Sequence, residues 1–314
     1  MKAFKFILII LLALILVDFS VSLVLDHMYE NSFAGDSGKF NYYLKKAEDK
    51  EIIVLGNSRA LCHIDPKELS VPVFNLARNN SQILYQLGLL HLIIDQKISC
   101  KKVVLHVDLP SDYISTDSKE KSNNFRKIQE LKYYYGKSNY ITNKIDQIST
   151  FERIKYLFQL SRFNGNIFGV INHYAPNEKL PPFDGFEPRI AGNADSSNTY
   201  LYMDKFLKWA EETPPNSSTE LIVEFITLCK QNNIELLCFT SPVFFDTSSY
   251  NDKFSALKKE MKKQGVEYIN YRDSIFTPLA PANLWGDAIH LNNKGAKIFS
   301  QKFNADIQHF LLKK

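Results

Sequence analysis

The sequence predicts an α/β domain with a mostly parallel sheet covered by helices on both faces, interrupted by one large insertion and preceded by an apolar membrane-length helix. Three observations carry that prediction. Short β-branched runs alternate with amphipathic stretches at 52–110 and again at 217–314. The alternation is lost between 111 and 216. Residues 6–17 contain only Phe, Ile, Leu, Ala and Val. Strands alternating with helices of this length make a parallel sheet the economical solution. Two flanks supplying complementary parts of one sheet make the middle an insertion rather than a separate domain.

The chain of 314 residues is long enough to bury a full core, and 45% hydrophobic with 23% charged residues is ordinary globular composition. A net charge of +4 spread over this length, without a long basic tract, argues against a nucleic-acid partner.

Lys2 and Lys5 precede the first apolar run, Asp18 interrupts it, and residues 19–25 resume it. Within the segment 1–25, residues 6–25 therefore supply the ~20 residues needed to span a hydrocarbon core. A cleaved signal peptide, whose apolar region need be only ~7–15 residues, is the competing reading. Ser20 and Ser22 are small, but no Ala-x-Ala site follows, which favours an uncleaved anchor. Asp18 is the costly residue, at ~2.5–3.5 kcal/mol if it lies at mid-membrane. Lysines ahead of the span place the rest of the chain outside the cytoplasm. Residues 26–50 are polar and suit a stalk with some helix, leaving 51–314 as the α/β domain with core 51–110 and 217–314 and insertion 111–216.

Within the core, 52–55, 71–76, 103–107, 234–239 and 266–271 read as strands. Helices are expected at 81–95, 221–229, 252–264 and 293–310, the second with Ser217 and Glu220 at capping-box spacing. In the insertion, 152–160 looks helical, and Pro181-Pro182-Phe183-Asp184-Gly185 must turn. Its tyrosine clusters, such as Tyr133-Tyr134-Tyr135, suit either sugar stacking or, more commonly, aromatic packing. The four cysteines form no C-x-x-C pair and no evident disulfide framework, so buried thiols are expected. His63, His91 and His106 are isolated, no metal site is expected, and nothing calls for a cofactor.

Gly56-Asn57-Ser58-Arg59-Ala60 follows the first buried run. Functional residues of open α/β sheets lie at the carboxyl ends of strands, and glycine permits the sharp turn that exposes Ser58. A serine needs an adjacent base to act as a nucleophile. Asp287-Ala288-Ile289-His290 supplies one, because Asp and His three residues apart on a turn can meet. Asp287 would then fix the tautomer, leaving the other nitrogen of His290 to take the serine proton. Asn292 is placed to cap the last helix. Arg59 either orients substrate in the cleft or pairs with an acid such as Asp65.

Together the two motifs resemble the SGNH/GDSL hydrolases, in the branch whose first block reads Gly-Asn-Ser-Arg or Gly-Ser-Ser-Arg. The resemblance covers about 52–110 and 234–314, and a nucleophile elbow of the α/β-hydrolase kind fits less well, since Asp and His share one turn. It implies a flavodoxin-like three-layer fold, Ser58, Asp287 and His290 as catalytic residues, and an oxyanion hole using the backbone N–H groups of Ser58 and Asn80. Asn80 stands where the family has glycine, and Asp108-Leu109-Pro110 stands where it has Gly-x-Asn-Asp, so the chain has no evident third donor: either Asn79 or a residue of the insertion substitutes, or activity is weak. Anchored relatives of this layout are associated with acetylation of exported polysaccharide and alanylation of teichoic acid. The resemblance thus implies an esterase or O-acyltransferase acting on an acylated glycan or other ester, with a membrane-bound acyltransferase as a partner. A non-catalytic glycan-binding or assembly subunit that keeps the fold is the competing reading.

Overall fold

The computed structural model describes residues 2–47, 49–107, 126–174, 182–189, 219–244, 251–272, 279 and 281–313. The chain divides into two compact units, one of residues 1–46 with 125–181 and one of residues 47–124 with 182–314.

The second unit is the α/β layer system. Its strands are β1 (Ile52–Leu55), β2 (Val73–Asn75), β3 (Lys102–His106), β4 (Glu235–Thr240) and β5 (Glu267–Asn270). They form one sheet in the order β2-β1-β3-β4-β5, with every neighbouring pair parallel. This is a doubly wound order, in which the chain reverses direction across the sheet between β1 and β3. β1, β2 and β3 are buried along their whole length, as strands covered on both faces must be, which is why they read as continuous apolar runs.

Alternation divides the sheet's side chains between two layers. Ile52 and Val54 of β1, Val104 of β3, and Leu237 and Phe239 of β4 pack with α3 (Ser58–His63) and the last helix, α10 (Asn293–Leu312). Phe299, Phe303, Ile307 and Phe310 recur along one side of α10 and fill that layer. Each such side chain contributes roughly 1.5–3 kcal/mol by leaving water. On the opposite side, α4 (Ile83–Asp95) packs against α8 (Glu220–Gln231), and α8 also touches β4. α9 (Asn251–Lys263) precedes β5 and contacts it. Buried Lys102 donates from Nζ to the carbonyls of Phe310, Leu311 and Lys313, closing the end of α10.

Beyond shifts of one or two residues at helix ends, two helices differ from the sequence expectation. α8 begins at Glu220 with Thr219 as N-cap and no side-chain capping bond, and Ser217 lies outside the described residues. The helix expected over 152–160 ends early, as α6 (Thr150–Lys155), capped by Ser149 accepting from Glu152 N. Residues 182–189, within the predicted insertion, belong to the α/β unit, and Phe186 is part of its core. Cys62, Cys100, Cys229 and Cys238 are all free thiols, and burial pushes the Cys100 thiol up to about 12.

The first unit comprises α1 (Lys2–Glu30), α2 (Gly35–Lys46), α5 (Asn139–Asp146), α6 and α7 (Ile167–His173), with the turns between them. α1 is long and apolar enough to cross a membrane. Tyr29 stacks on Tyr133 with ring centroids 4.2 Å apart, and the Tyr134 hydroxyl donates to Asn41 Oδ1 at 2.6 Å. Buried Asn41 in turn donates to the carbonyls of Tyr29 and Ser32. Tyr133 and Tyr134 are thus packing residues, buried against the segment expected to be a stalk. Arg162 pairs with Asp26 at 2.9 Å, and Asp18 accepts from the backbone N–H groups of Gln159 and Leu160 at 2.8 and 3.0 Å.

Candidate active site

β1 ends at Leu55 and the chain turns at Gly56, whose φ of +150° is one that side chains rarely tolerate. A Cβ there would also lie 2.5 Å from His106 Cβ and 2.9 Å from Ala60 Cβ, so only glycine fits. Asn57 then caps α3 by accepting from Arg59 N at 3.0 Å, which makes Ser58 the first helical residue.

Two further clamps hold this turn. The Gly56 carbonyl accepts from Arg78 N at 3.0 Å, Ser81 Oγ at 2.7 Å and Gln86 Nε2 at 2.8 Å, which fastens the loop after β2 beside it. Asn75, at the end of β2, donates from Nδ2 to the carbonyls of Ala60 and Ile64 in α3, while its Oδ1 accepts from Ala77 N. Asn80 lies in the fastened loop at φ +54°, a left-handed conformation that asparagine adopts more readily than most residues. Asn79 and Asn80 are both exposed there.

From the far end of the sequence, the turn 284–292 presents the partner residues. Gly286 N donates to His290 O at 2.8 Å, Trp285 bridges to Leu291, and Asn292 N donates to Leu284 O at 3.0 Å. Asn292 caps α10 as its position predicts, accepting from Lys294 N and Gly295 N at 3.0 and 3.2 Å. Its own Nδ2 donates to Asn283 O at 2.7 Å.

These supports bring Ser58, His290 and Asp287 into one line. His290 Nε2 is 2.8 Å from Ser58 Oγ, and His290 Nδ1 is 2.9 Å from Asp287 Oδ2. An ionised carboxylate only accepts, so Nδ1 carries the proton and Nε2 offers its lone pair to the serine hydroxyl. Asp287 Oδ1 accepts from Ile289 N and His290 N, both at 2.9 Å, and Oδ2 also accepts from Arg189 Nη1 at 3.1 Å.

The electrostatics follow from these contacts. Burial raises the Asp287 carboxyl, but the His290 bond and charge, the Ile289 N–H and Arg189 outweigh it and hold the group below its ordinary value. Burial is the main influence depressing His290, opposed by the Asp287 bond and charge and reinforced by Arg189 and Arg59. The imidazole is therefore neutral at neutral pH, the state that accepts a proton.

Arg59 is buried, with Nη1 3.5 Å from the Ser241 carbonyl oxygen. Asp65 instead accepts from Lys67 N. Three residues that sequence reasoning did not attach to the site also support it. Arg189 holds Asp287. The fully buried His63 accepts from Leu291 N at 3.0 Å through Nε2, anchoring the residue after His290. Burial, then the charges of His290 and Arg59, keep His63 neutral, well below its ordinary value. Gln86 fixes the Ser58 turn through Gly56. Asp108-Leu109-Pro110, the segment following β3, lies outside the described residues. Among the described residues no group of His, Cys, Asp and Glu is arranged to hold a metal.

No protein-family model matches the chain, and no curated protein matches it. Among solved structures it is similar to one described as "putative platelet activating factor from Streptococcus pneumonia". That likeness has 10% sequence identity and a TM-score of 0.39, and covers 93% of this chain and 98% of the other.

Proposed function

We propose that this chain is a serine-dependent acyl-ester hydrolase or O-acyltransferase of the SGNH/GDSL type, anchored in a membrane and acting outside the cytoplasm on envelope polysaccharide. The observation that carries the chemistry is the unbroken line from Ser58 Oγ through His290 to Asp287, at 2.8 and 2.9 Å. It lies at the carboxyl end of β1, beside the switch point where ligands of such sheets bind.

In the proposed reaction Ser58 Oγ bonds to the ester carbonyl carbon as its proton passes to His290 Nε2. The carbonyl π pair becomes an oxyanion facing the N–H groups of Ser58 and Asn80. Collapse expels the alcohol, which takes the proton from His290, and leaves acyl-Ser58. Water, or a sugar hydroxyl in the transferase, then gives its proton to His290 and attacks the acyl carbon, and Ser58 recovers its proton as it leaves. Asp287 orients the ring and stabilises the imidazolium throughout.

α1 is the proposed anchor. The bonds that Asp18, Ser22 and Asp26 make to residues 159–162 would be lost if α1 were cleaved away, which supports the uncleaved form. A membrane-bound acyltransferase that passes acyl groups outward is the partner this reading implies. An active-serine fluorophosphonate probe tests it. The wild type is expected to label and Ser58→Ala not to; no labelling of the wild type, or equal labelling of both, contradicts the enzyme and leaves a glycan-binding subunit. Acetate release with and without added acceptor glycan then separates hydrolase from transferase.

A further inference from the structure

We propose that the first unit is sunk into the outer leaflet, with the exposed apolar side chains of α6, α7 and the segment between them in contact with lipid acyl chains. The inference rests on the reading of α1 as a membrane span and adds a second membrane-contacting surface to it.

Exposed apolar residues run along α1 from Phe4 to Val24, with Phe19, Val21, Leu23 and Val24 continuing the apolar surface past Asp18. At ~1.5 Å per residue that band is ~30 Å tall, the thickness of a bilayer hydrocarbon core. Asp18 then lies ~9 Å inside its outer boundary. Its carboxylate is satisfied by the backbone N–H groups of Gln159 and Leu160, at 2.8 and 3.0 Å. Whatever depth Asp18 has, residues 159 and 160 share it.

The segment that carries these donors, and the helices before and after it, expose apolar side chains. Leu157 and Phe158, immediately before Gln159, are 72% and 57% exposed. Phe151 of α6 is 71% exposed and Phe168 of α7 is 83% exposed, with Ile154 and Ile171 also exposed. So many large apolar side chains exposed within one short stretch are uncommon in soluble proteins and mark an interaction surface. Exposed Arg153 borders it and is long enough to snorkel to phosphate groups, while Lys155 pairs with Glu152 at 3.1 Å. The polar markers lie past Asp18, at the C-terminal end of α1. The Tyr174 ring is 6.0 Å from that of His27, Ser32 Oγ donates to the His173 carbonyl, and Lys137 pairs with Asp26 and Glu30. Tyrosines and charges there and apolar side chains at the Asp18 level give the polarity gradient of a leaflet. Lipid rather than a protein partner is the occupant because the surface lies beside an apolar helix at the depth where acyl chains surround it.

The test uses the full chain in lipid vesicles with no other protein. Single cysteines are placed at Leu157, Phe168, Leu12 of α1 and Lys297 of α10 in a Cys100→Ser background, the other three native thiols being buried. All four chosen positions are exposed, so the exchanges leave packing undisturbed. Each is labelled with a nitrobenzoxadiazole fluorophore and quenched with acyl-chain nitroxide lipids or with aqueous iodide. Labels at 157 and 168 are expected to be quenched severalfold more by the lipid nitroxide than the label at 297, and to be shielded from iodide. If 12 is quenched by lipid but 157 and 168 behave like 297, the inference is overturned and the anchor stands. If 12 also behaves like 297, the anchor and the inference fall together.

Discussion

Replacing Asp287 by asparagine exchanges one oxygen for an NH2 group with almost no change in volume. Ile289 N and His290 N both donate to Oδ1 at 2.9 Å, so the new side chain has one seating, with its oxygen at that position. The amide nitrogen then falls where Oδ2 now accepts from His290 Nδ1 at 2.9 Å and Arg189 Nη1 at 3.1 Å. An NH2 group accepts nothing, so Nδ1 of His290 must become the acceptor and its proton moves to Nε2. The ring then presents an N–H, not a lone pair, to Ser58 Oγ. In serine triads of this arrangement the same exchange lowers kcat by about 10⁴, or about 5.5 kcal/mol of transition-state stabilisation. Stability should change far less, since the Arg189 pair is partly exposed and such pairs are worth about 1 kcal/mol or less. The assay is p-nitrophenyl acetate hydrolysis by the purified full chain in detergent, with Tm by circular dichroism. A variant that keeps the wild-type Tm and more than a tenth of the activity would refute the assigned role of Asp287.

The remaining predictions concern titration and the supports of the turn. Because His290 is depressed from its ordinary 6.5, the neutral base persists at mildly acid pH, and the acid limb of kcat/KM should have its midpoint below 6.5; a midpoint above it contradicts the assignment. His63 is held neutral in the fold while the unfolded chain binds a proton below about 6.5. Its contribution to unfolding free energy should therefore shrink as pH is lowered through that range, by up to about 1.4 kcal/mol per pH unit, read from denaturant curves at stepped pH. Gly56→Ala combines a φ of +150° with contacts at 2.5 and 2.9 Å, so about 2–4 kcal/mol of stability and most activity should be lost, measured by urea unfolding and hydrolysis. Asn292→Ala removes the cap of α10 and should cost about 1–2 kcal/mol in the same unfolding assay.

What could be read in advance was local. The apolar runs that became β1 and β3 are buried on both faces, and that condition writes itself into consecutive residues. Asn292 signalled its cap because an N-cap acts on residues two and three positions on. The pairing of Asp287 with His290 is a matter of one turn, and Ser58 follows a strand end. Hidden were the supports that act across the chain. Arg189 reaches Asp287 over 98 residues, and no periodicity or spacing announces it. His63 looked isolated because its partner is a backbone N–H 228 residues away. α6 ends at Lys155, and the N–H groups of Gln159 and Leu160 bond to Asp18 rather than to a continuing helix, a long-range contact that local propensity cannot foresee. The same bond relieves Asp18, which the sequence alone presents as an unpaired charge in an apolar helix.

The most direct test of the account is to trap the covalent intermediate. The full chain is mixed with p-nitrophenyl acetate, quenched in acid within the first turnover, and its intact mass and proteolytic peptides are measured. The account predicts one acetyl group, on the peptide containing Ser58, absent from Ser58→Ala and strongly reduced in His290→Ala. An acetyl group that maps elsewhere, or that persists in Ser58→Ala, would contradict it.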